Sequence, residues 1–421
     1  MNSLKKLGLF ILLAVLLASC EKEETITLFE LENEVITMET GEIKEIKITK
    51  FYPLEPKSYE MELVSKNPDI VTVENGKLKA LQLGEARIDV RVKTVIVSCF
   101  VHVTSINDPK YDIYLAGGGI NNNAMYVKNG VAYDLSPDKP QSDVSYATCI
   151  DVQGEDVFVG GNERIDDKSI AVLWKNGVKT IISNDDNYSR ITDLVVSNNN
   201  VYVIGYETFQ SYRDIAFLWI NGDKKYLSES WTFSVPYALA IKGNDIYVAG
   251  VYRDYNDSWN KKAVYWKNDQ IHILSTSENA EANDIFLSGN DIYICGYNEE
   301  NGVRVATLWK NGVAQKLSDG NTNSTADAVS LVGDDVYVAG YEEIKKNHPI
   351  PVIWKNGVKQ IISNGMLHGY KVNLKTFEND IFISADMFYE PDIYLRNNQP
   401  ITLFQSPFRR ITDYKFVPKT N

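Results

Sequence analysis

Trp231 and Trp259 stand in one stretch of the chain with Phe233, Tyr252, Arg253, Asp254, Tyr255 and Asp257. Indole and phenol rings beside carboxylates suit a sugar, whose C–H faces stack while its hydroxyls take hydrogen bonds. The same stretch offers Glu229, Asp254 and Asp257 as carboxylates for glycoside hydrolysis, which needs two at a suitable separation and no fixed sequence pattern. Long loops also use aromatics to pack themselves down, so that reading stays open beside the binding one. A further aromatic series, Tyr206, Tyr252, Tyr297 and Tyr341, recurs regularly, which points to packing at a core or rim.

Asp193, Asp284 and Asp413, with Asn373, occupy equivalent repeat positions that Cys149, Ala238 and Ala328 fill elsewhere. Carboxylates converging on a channel can hold a hard cation such as calcium through oxygen. No EF-hand-like loop accompanies them, and hydrogen bonding to adjacent strands or channel water is the favoured reading. His102, His272, His348 and His368 are scattered with no HExxH pair, so no metal or other cofactor is expected. Cys99, Cys149 and Cys295 lie among apolar residues with no basic neighbour, which reads as three small buried hydrophobes.

The elements that must position these residues come from a repeat. The phrase Asp/Asn-[Ile/Val]-[Tyr/Phe]-apolar, usually followed by x-Gly, begins at Asp112, Asp156, Asn200, Asp245, Asp291, Asp335 and Asp380. A second phrase follows about fifteen residues on, as in Leu173-Trp174-Lys175-Asn176-Gly177, with counterparts at Trp219, Trp266, Trp309 and Trp354. Period-2 strands fill the intervals, and a period near 45 with about four strands means propeller blades. The five recurrent tryptophans read as core between blades. The first copy lacks a leading strand, and Arg410-Ile411-Thr412-Asp413-Tyr414-Lys415-Phe416 parallels Arg190-Ile191-Thr192-Asp193-Leu194-Val195-Val196. A C-terminal strand would thus complete the first blade and close the ring. Antiparallel order places tight turns on one face and long, variable segments on the other. Those segments are 163–169, 207–214, 228–236 and 253–262, and binding is expected on their face.

The segment Ala216-Phe217-Leu218-Trp219-Ile220-Asn221-Gly222, after Gly205-Tyr206, resembles the extracellular HAF repeats, which carry no known chemistry. Upstream, 26–105 shows short alternating strands with turns such as Asn75-Gly76, the pattern of a β-sandwich. The run Ser65-Lys66-Asn67-Pro68-Asp69-Ile70-Val71-Thr72-Val73, with Gly84-Glu85-Ala86-Arg87-Ile88, resembles the group 2 bacterial Ig-like family, whose domains mostly act as spacers or adhesive modules. Where that family usually has Trp, this chain has Met61-Glu62-Leu63.

The chain opens with Lys5-Lys6 and an apolar run from Leu7 to Leu17, too short to span a bilayer comfortably and typical of a cleaved signal. Leu17-Ala18-Ser19-Cys20 resembles the bacterial lipobox, which implies cleavage before Cys20 and its acylation, palmitate included. Glu21-Lys22-Glu23-Glu24 looks like the surface-export signal of Bacteroidetes lipoproteins. The expected organisation is a signal peptide at 1–19, a lipidated Cys20 and tether at 20–25, an Ig-like domain at 26–105 and a propeller at 110–421. The fold class is all-β: an Ig-like β-sandwich followed by a seven-bladed β-propeller closed by the C-terminal strand.

The net charge is −13, and without Lys5 and Lys6 it becomes 41 basic against 56 acidic residues, −15. Such a chain has no general attraction for nucleic acid. The partners expected are a membrane through the lipid, in the outer membrane facing outward, and a glycan or an extracellular or outer-membrane protein. The leading reading is a non-catalytic binding module. A carbohydrate-active hydrolase or lyase, and a scaffold for a membrane protein, are the alternatives.

Overall fold

A computed structural model describes residues 26–419 apart from 54–55, 57, 83, 106–110, 120, 139–142, 166–167, 184–186, 210–212, 256–259, 276–278, 346–347, 362–368, 388–392, 397–398 and 401–407. The described structure is all-β, and no helix in it is long and apolar enough to cross a membrane. The chain divides into two compact units at Thr104/Ser105. The smaller holds three sheets, of which the largest has four strands. Its core gathers Phe29, Met38, Leu78, Ile88, Val90 and Cys99.

The larger unit is a β-propeller-like repeat of seven four-stranded antiparallel sheets. Six are consecutive in sequence, starting at Val144, Tyr188, Thr232, Ala280, Ser324 and Gly369. The first sheet takes its leading strand from the C-terminus, where Phe408–Pro418 pairs antiparallel with Tyr111–Gly119. No single core exists. Apolar layers lie between successive sheets instead, such as Phe158 and Leu173 of the second against Leu194 and Trp219 of the third. The last layer joins the seventh sheet to the first: Phe382 stacks on Phe416 at 3.8 Å, and Phe377 meets Tyr111 at 4.7 Å. Trp174, Trp219, Trp266, Trp309 and Trp354 are all buried in these layers, as the repeat implied.

The two recurrent sequence phrases are two halves of one contact. In the second sheet Asn176 adopts a positive φ of 51° in the turn between third and fourth strands. Its Oδ1 accepts the Val157 N–H at 2.8 Å and its Nδ2 donates to Asp156 at 2.7 Å. Lys175, one residue earlier, pairs with the same Asp156 at 2.8 Å and lies over the Phe158 ring. The pattern returns with Asp245, Tyr247, Lys267 and Asn268, and again with Asp335, Tyr337, Lys355 and Asn356. In the third sheet the lysine is Ile220, and the acid it would pair with is Asn200.

The glycine of the first phrase answers a different demand. In sheets one to six the leading strand carries a β-bulge at Thr412, Thr148, Thr192, Tyr237, Asn283 and Asp327. The bulge presses the carbonyl two residues earlier onto the second strand. A Cβ on Gly205 would stand 2.1 Å from the Arg190 oxygen, and one on Gly296 would stand 1.9 Å from that of Glu281. Gly161, Gly250 and Gly340 are equally confined. The seventh sheet has its register shift elsewhere, between Gly369 and Lys371, and there the same position is Ala385. Gly205→Ala is therefore expected to cost about 2 kcal/mol or more in chemical unfolding. Ala385→Gly should stay within about 1 kcal/mol. Equal small losses in both would contradict this account.

Candidate functional site

The bulge turns side chains of each leading strand toward the next sheet. Thr412 donates to the Ala147 carbonyl at 2.9 Å, Thr148 to that of Ile191 at 3.2 Å, and Asn283 to that of Ala326 at 3.0 Å. One residue on, the carboxylates accept backbone N–H groups: Asp413 from Ile150, Asp193 from Leu239, and Asp284 from Val329, at 2.8–3.0 Å. Asp327 does the same for Val372 at 3.1 Å. The acids singled out in the sequence thus fasten sheet to sheet, the hydrogen-bonding reading.

Lys375 of the seventh sheet pairs with Asp413 of the first at 3.3 Å, and its charge is also felt by Asp193 and Asp284 of the third and fifth. A single ammonium in reach of three such sheets lies in the space their leading strands surround. Its side chain is 49 % exposed by surface area, yet protein encloses it at longer range. Asp413 first, then Asp193 and Asp284, raise its pKa against burial. Lys375 supplies positive charge to these acids, and among the described residues no acidic, His or Cys cluster is arranged to hold a metal. Burial raises Asp193 to about 7 and Asp284 to about 6 against the N–H donors and Lys375, and Asp327 to about 7 against the Val372 N–H and Lys371. The three cysteines are buried and unpaired, and burial lifts Cys99 to about 11.

At the end of the sheets where leading strands begin and second strands finish, phenols and cations alternate across sheets three to six. Arg190 donates to the Tyr188 hydroxyl at 2.6 Å and reaches that of Tyr206. Tyr237 donates to Glu281 at 3.2 Å, and Lys261 pairs with the same carboxylate at 2.8 Å. Arg304 lies over the Tyr297 ring at 4.9 Å and bonds the Tyr341 hydroxyl. Burial, then Glu281, raises the Tyr237 and Tyr297 phenols. Arg190, Glu281 and Arg304 were not singled out in the sequence. The signal available was variation: at the level of Arg190 the equivalent residues are Tyr146, Val235, Glu281 and Thr325, while the next position is mostly small.

The sequence-predicted cluster on the fourth sheet is brought together in part. Trp231 lies in the turn before the leading strand and is 50 % exposed. Phe233, Tyr252 and Asp254 are strand residues rather than loop, because Thr232–Lys242 and Asp245–Asp254 pair to their ends, with Phe233 opposite Arg253. The Arg253 guanidinium lies between Phe233 and Tyr255, at 5.1 and 4.4 Å from their ring centres, and donates to the Tyr255 hydroxyl at 2.6 Å. Arg213 of the third sheet covers Tyr255 at 5.0 Å. Tyr252 leans on the apolar layer between sheets three and four. Trp259 and Asp257 lie outside the described residues. Glu229 offers its backbone carbonyl to Thr232. The segment 163–169, read as a long loop, is strand in its described residues: Asp156–Ile165 and Lys168–Lys175 pair as far as Ile165↔Lys168. In the tyrosine series Tyr252 is one place out of register, since Val251 follows the Gly250 that matches Gly205, Gly296 and Gly340.

No protein-family description and no curated protein matches this chain. Among solved structures it is similar to the propeller domain of the trilobed protease from Pyrococcus furiosus, at 9% identity, TM-score 0.41, over 90% of this chain and 96% of that one. A putative TolB from Agrobacterium tumefaciens gives 8%, 0.40, 67% and 99%, and YjhT gives 11%, 0.39, 62% and 96%. At such identities and scores these likenesses carry no inference about function, and the fold rests on the sheets themselves.

With Asp193, Asp284 and Asp327 raised from an ordinary 3.8, the folded chain binds more protons than the unfolded chain between about pH 4 and 7. Their contribution to stability is therefore lost as pH rises through that window. Asp156, Asp245 and Asp335, lowered by their turn lysine and then its asparagine, act oppositely, losing stability only as pH falls below the ordinary carboxylate range. The thermal midpoint is expected to fall from pH 5 to pH 7.5, and Asp193→Asn should flatten that fall. A midpoint that rises over this interval in the parent protein would contradict it.

Proposed function

We propose that the chain is a lipid-anchored cell-surface protein whose larger unit, a closed seven-bladed propeller, binds a glycan at the end bearing Trp231. One observation carries this reading: Trp231, a large indole, is half exposed at the head of the fourth sheet. Phe233 stands two residues on, held under the Arg253 guanidinium. A flat apolar ring beside hydrogen-bonding groups is what a sugar face requires, and an exposed large aromatic marks a contact surface. The closed ring is supported by the packing of Phe382 and Phe377 on Phe416 and Tyr111, and by Lys375 reaching acids of three other sheets. The smaller unit is read as an Ig-like spacer, and the signal, Cys20 and acidic tether supply the outer-membrane address.

The test is a glycan-array screen of residues 21–421 beside its Trp231→Ala variant. Loss of one exposed stacking platform is expected to weaken the best glycan about tenfold. Undiminished binding in the variant would remove Trp231 from the site. For the anchor, Cys20→Ser should abolish palmitate labelling and move the full chain from the membrane to the soluble fraction. Retention of label would exclude Cys20 as the acylated residue.

A further inference from the structure

We propose that the ligand is an acidic saccharide, bearing carboxylate or sulfate groups, and that Arg190 and Arg304 recognise those groups; this rests on the glycan-binding reading above. The chain carries a net charge of −13, and many of its described cations pair with acids. Lys175, Lys267, Lys310 and Lys355 each pair with the aspartate of their own repeat. Arg87 and Arg91 of the smaller unit pair with Asp89 and Glu62.

Arg190 and Arg304 differ. Both are exposed, and their hydrogen-bond partners among the described residues are phenol hydroxyls: Tyr188 and Tyr206 for the first, Tyr341 for the second. A neutral phenol accepts a hydrogen bond without cancelling the charge. Glu281, whose charge also bears on Arg304, is engaged by Lys261 and Tyr237. Each guanidinium also rests on a ring, Arg190 on Tyr188 at 5.3 Å and Arg304 on Tyr297 at 4.9 Å. Ring contact and hydroxyl together fix the orientation of a planar fork, while several of its five N–H groups remain for a ligand. A fork held this way suits paired oxygens of a carboxylate or sulfate.

The two arginines sit on sheets three and five, with Tyr237 of the fourth between them. Engaging both therefore takes an oligomer with anionic groups on separate sugar units.

The experiment titrates the full chain with polygalacturonate, dextran sulfate and neutral dextran, and repeats it with Arg190→Gln/Arg304→Gln and Arg190→Lys/Arg304→Lys. At least one anionic polymer is expected to bind at least tenfold tighter than dextran; which of the two does so distinguishes carboxylate from sulfate. The glutamine variant should lose that preference at an unchanged melting temperature, and the lysine variant should keep the charge-driven part with a steeper dependence on salt. Equal binding of dextran, or an undiminished preference in the folded glutamine variant, overturns the acidic ligand and leaves the glycan site standing. Absence of binding to these polymers and to every glycan of the array overturns the reading beneath it as well.

Discussion

The larger unit depends on a single extra residue in each of six leading strands. The bulge drives a backbone carbonyl to within about 2 Å of where a Cβ would stand on the second strand, so that position is glycine in the sheets that carry it. In exchange, side chains at and after the bulge reach the neighbouring sheet, where they meet backbone groups that no strand pairing serves. Glycine, bulge and sheet-to-sheet hydrogen bond are one device. The absence of the bulge at that level of the seventh sheet, with Ala385 in the glycine position, shows the parts change together.

The repeat was legible because its strongest contacts lie within one copy. Asp156, Lys175 and Asn176 are close in sequence and bond to one another, so period and turn could be read directly. Most asparagines with positive φ, such as Asn176, Asn221, Asn311 and Asn356, stand in Asn-Gly pairs. What was not legible depends on a shift of one residue. Tyr252 falls out of the tyrosine series because the fourth copy places Val251 after its glycine. Second and third strands run past the expected loop boundaries because polar residues such as Glu163 and Arg164 still pair across the hairpin, and polarity alone reads as loop.

The candidate site was legible only in outline. The end that carries it follows from strand alternation, and Trp231 stood out by breaking the repeat. Arg190 and Arg304 did not stand out, because a lone arginine on a strand has no signature until its neighbours are known. Their phenol partners come from Tyr188, Tyr206 and Tyr341, in sheets three and six, and only the fold gathers them.

The position one residue after the bulge also follows a parity rule. Asp413, Asp193 and Asp284 belong to sheets one, three and five, while Cys149, Ala238 and Ala328, all small, stand at the same level in sheets two, four and six. Asp327 of sheet six sits at the bulge itself and stands outside this alternation. Where the seventh sheet packs on the first, two odd-numbered sheets stand side by side. At that seam the seventh sheet carries the neutral Asn373 in place of an acid, and two residues later Lys375 turns to Asp413. The lysine thus meets the acid of the first sheet at the seam where the alternation gives out.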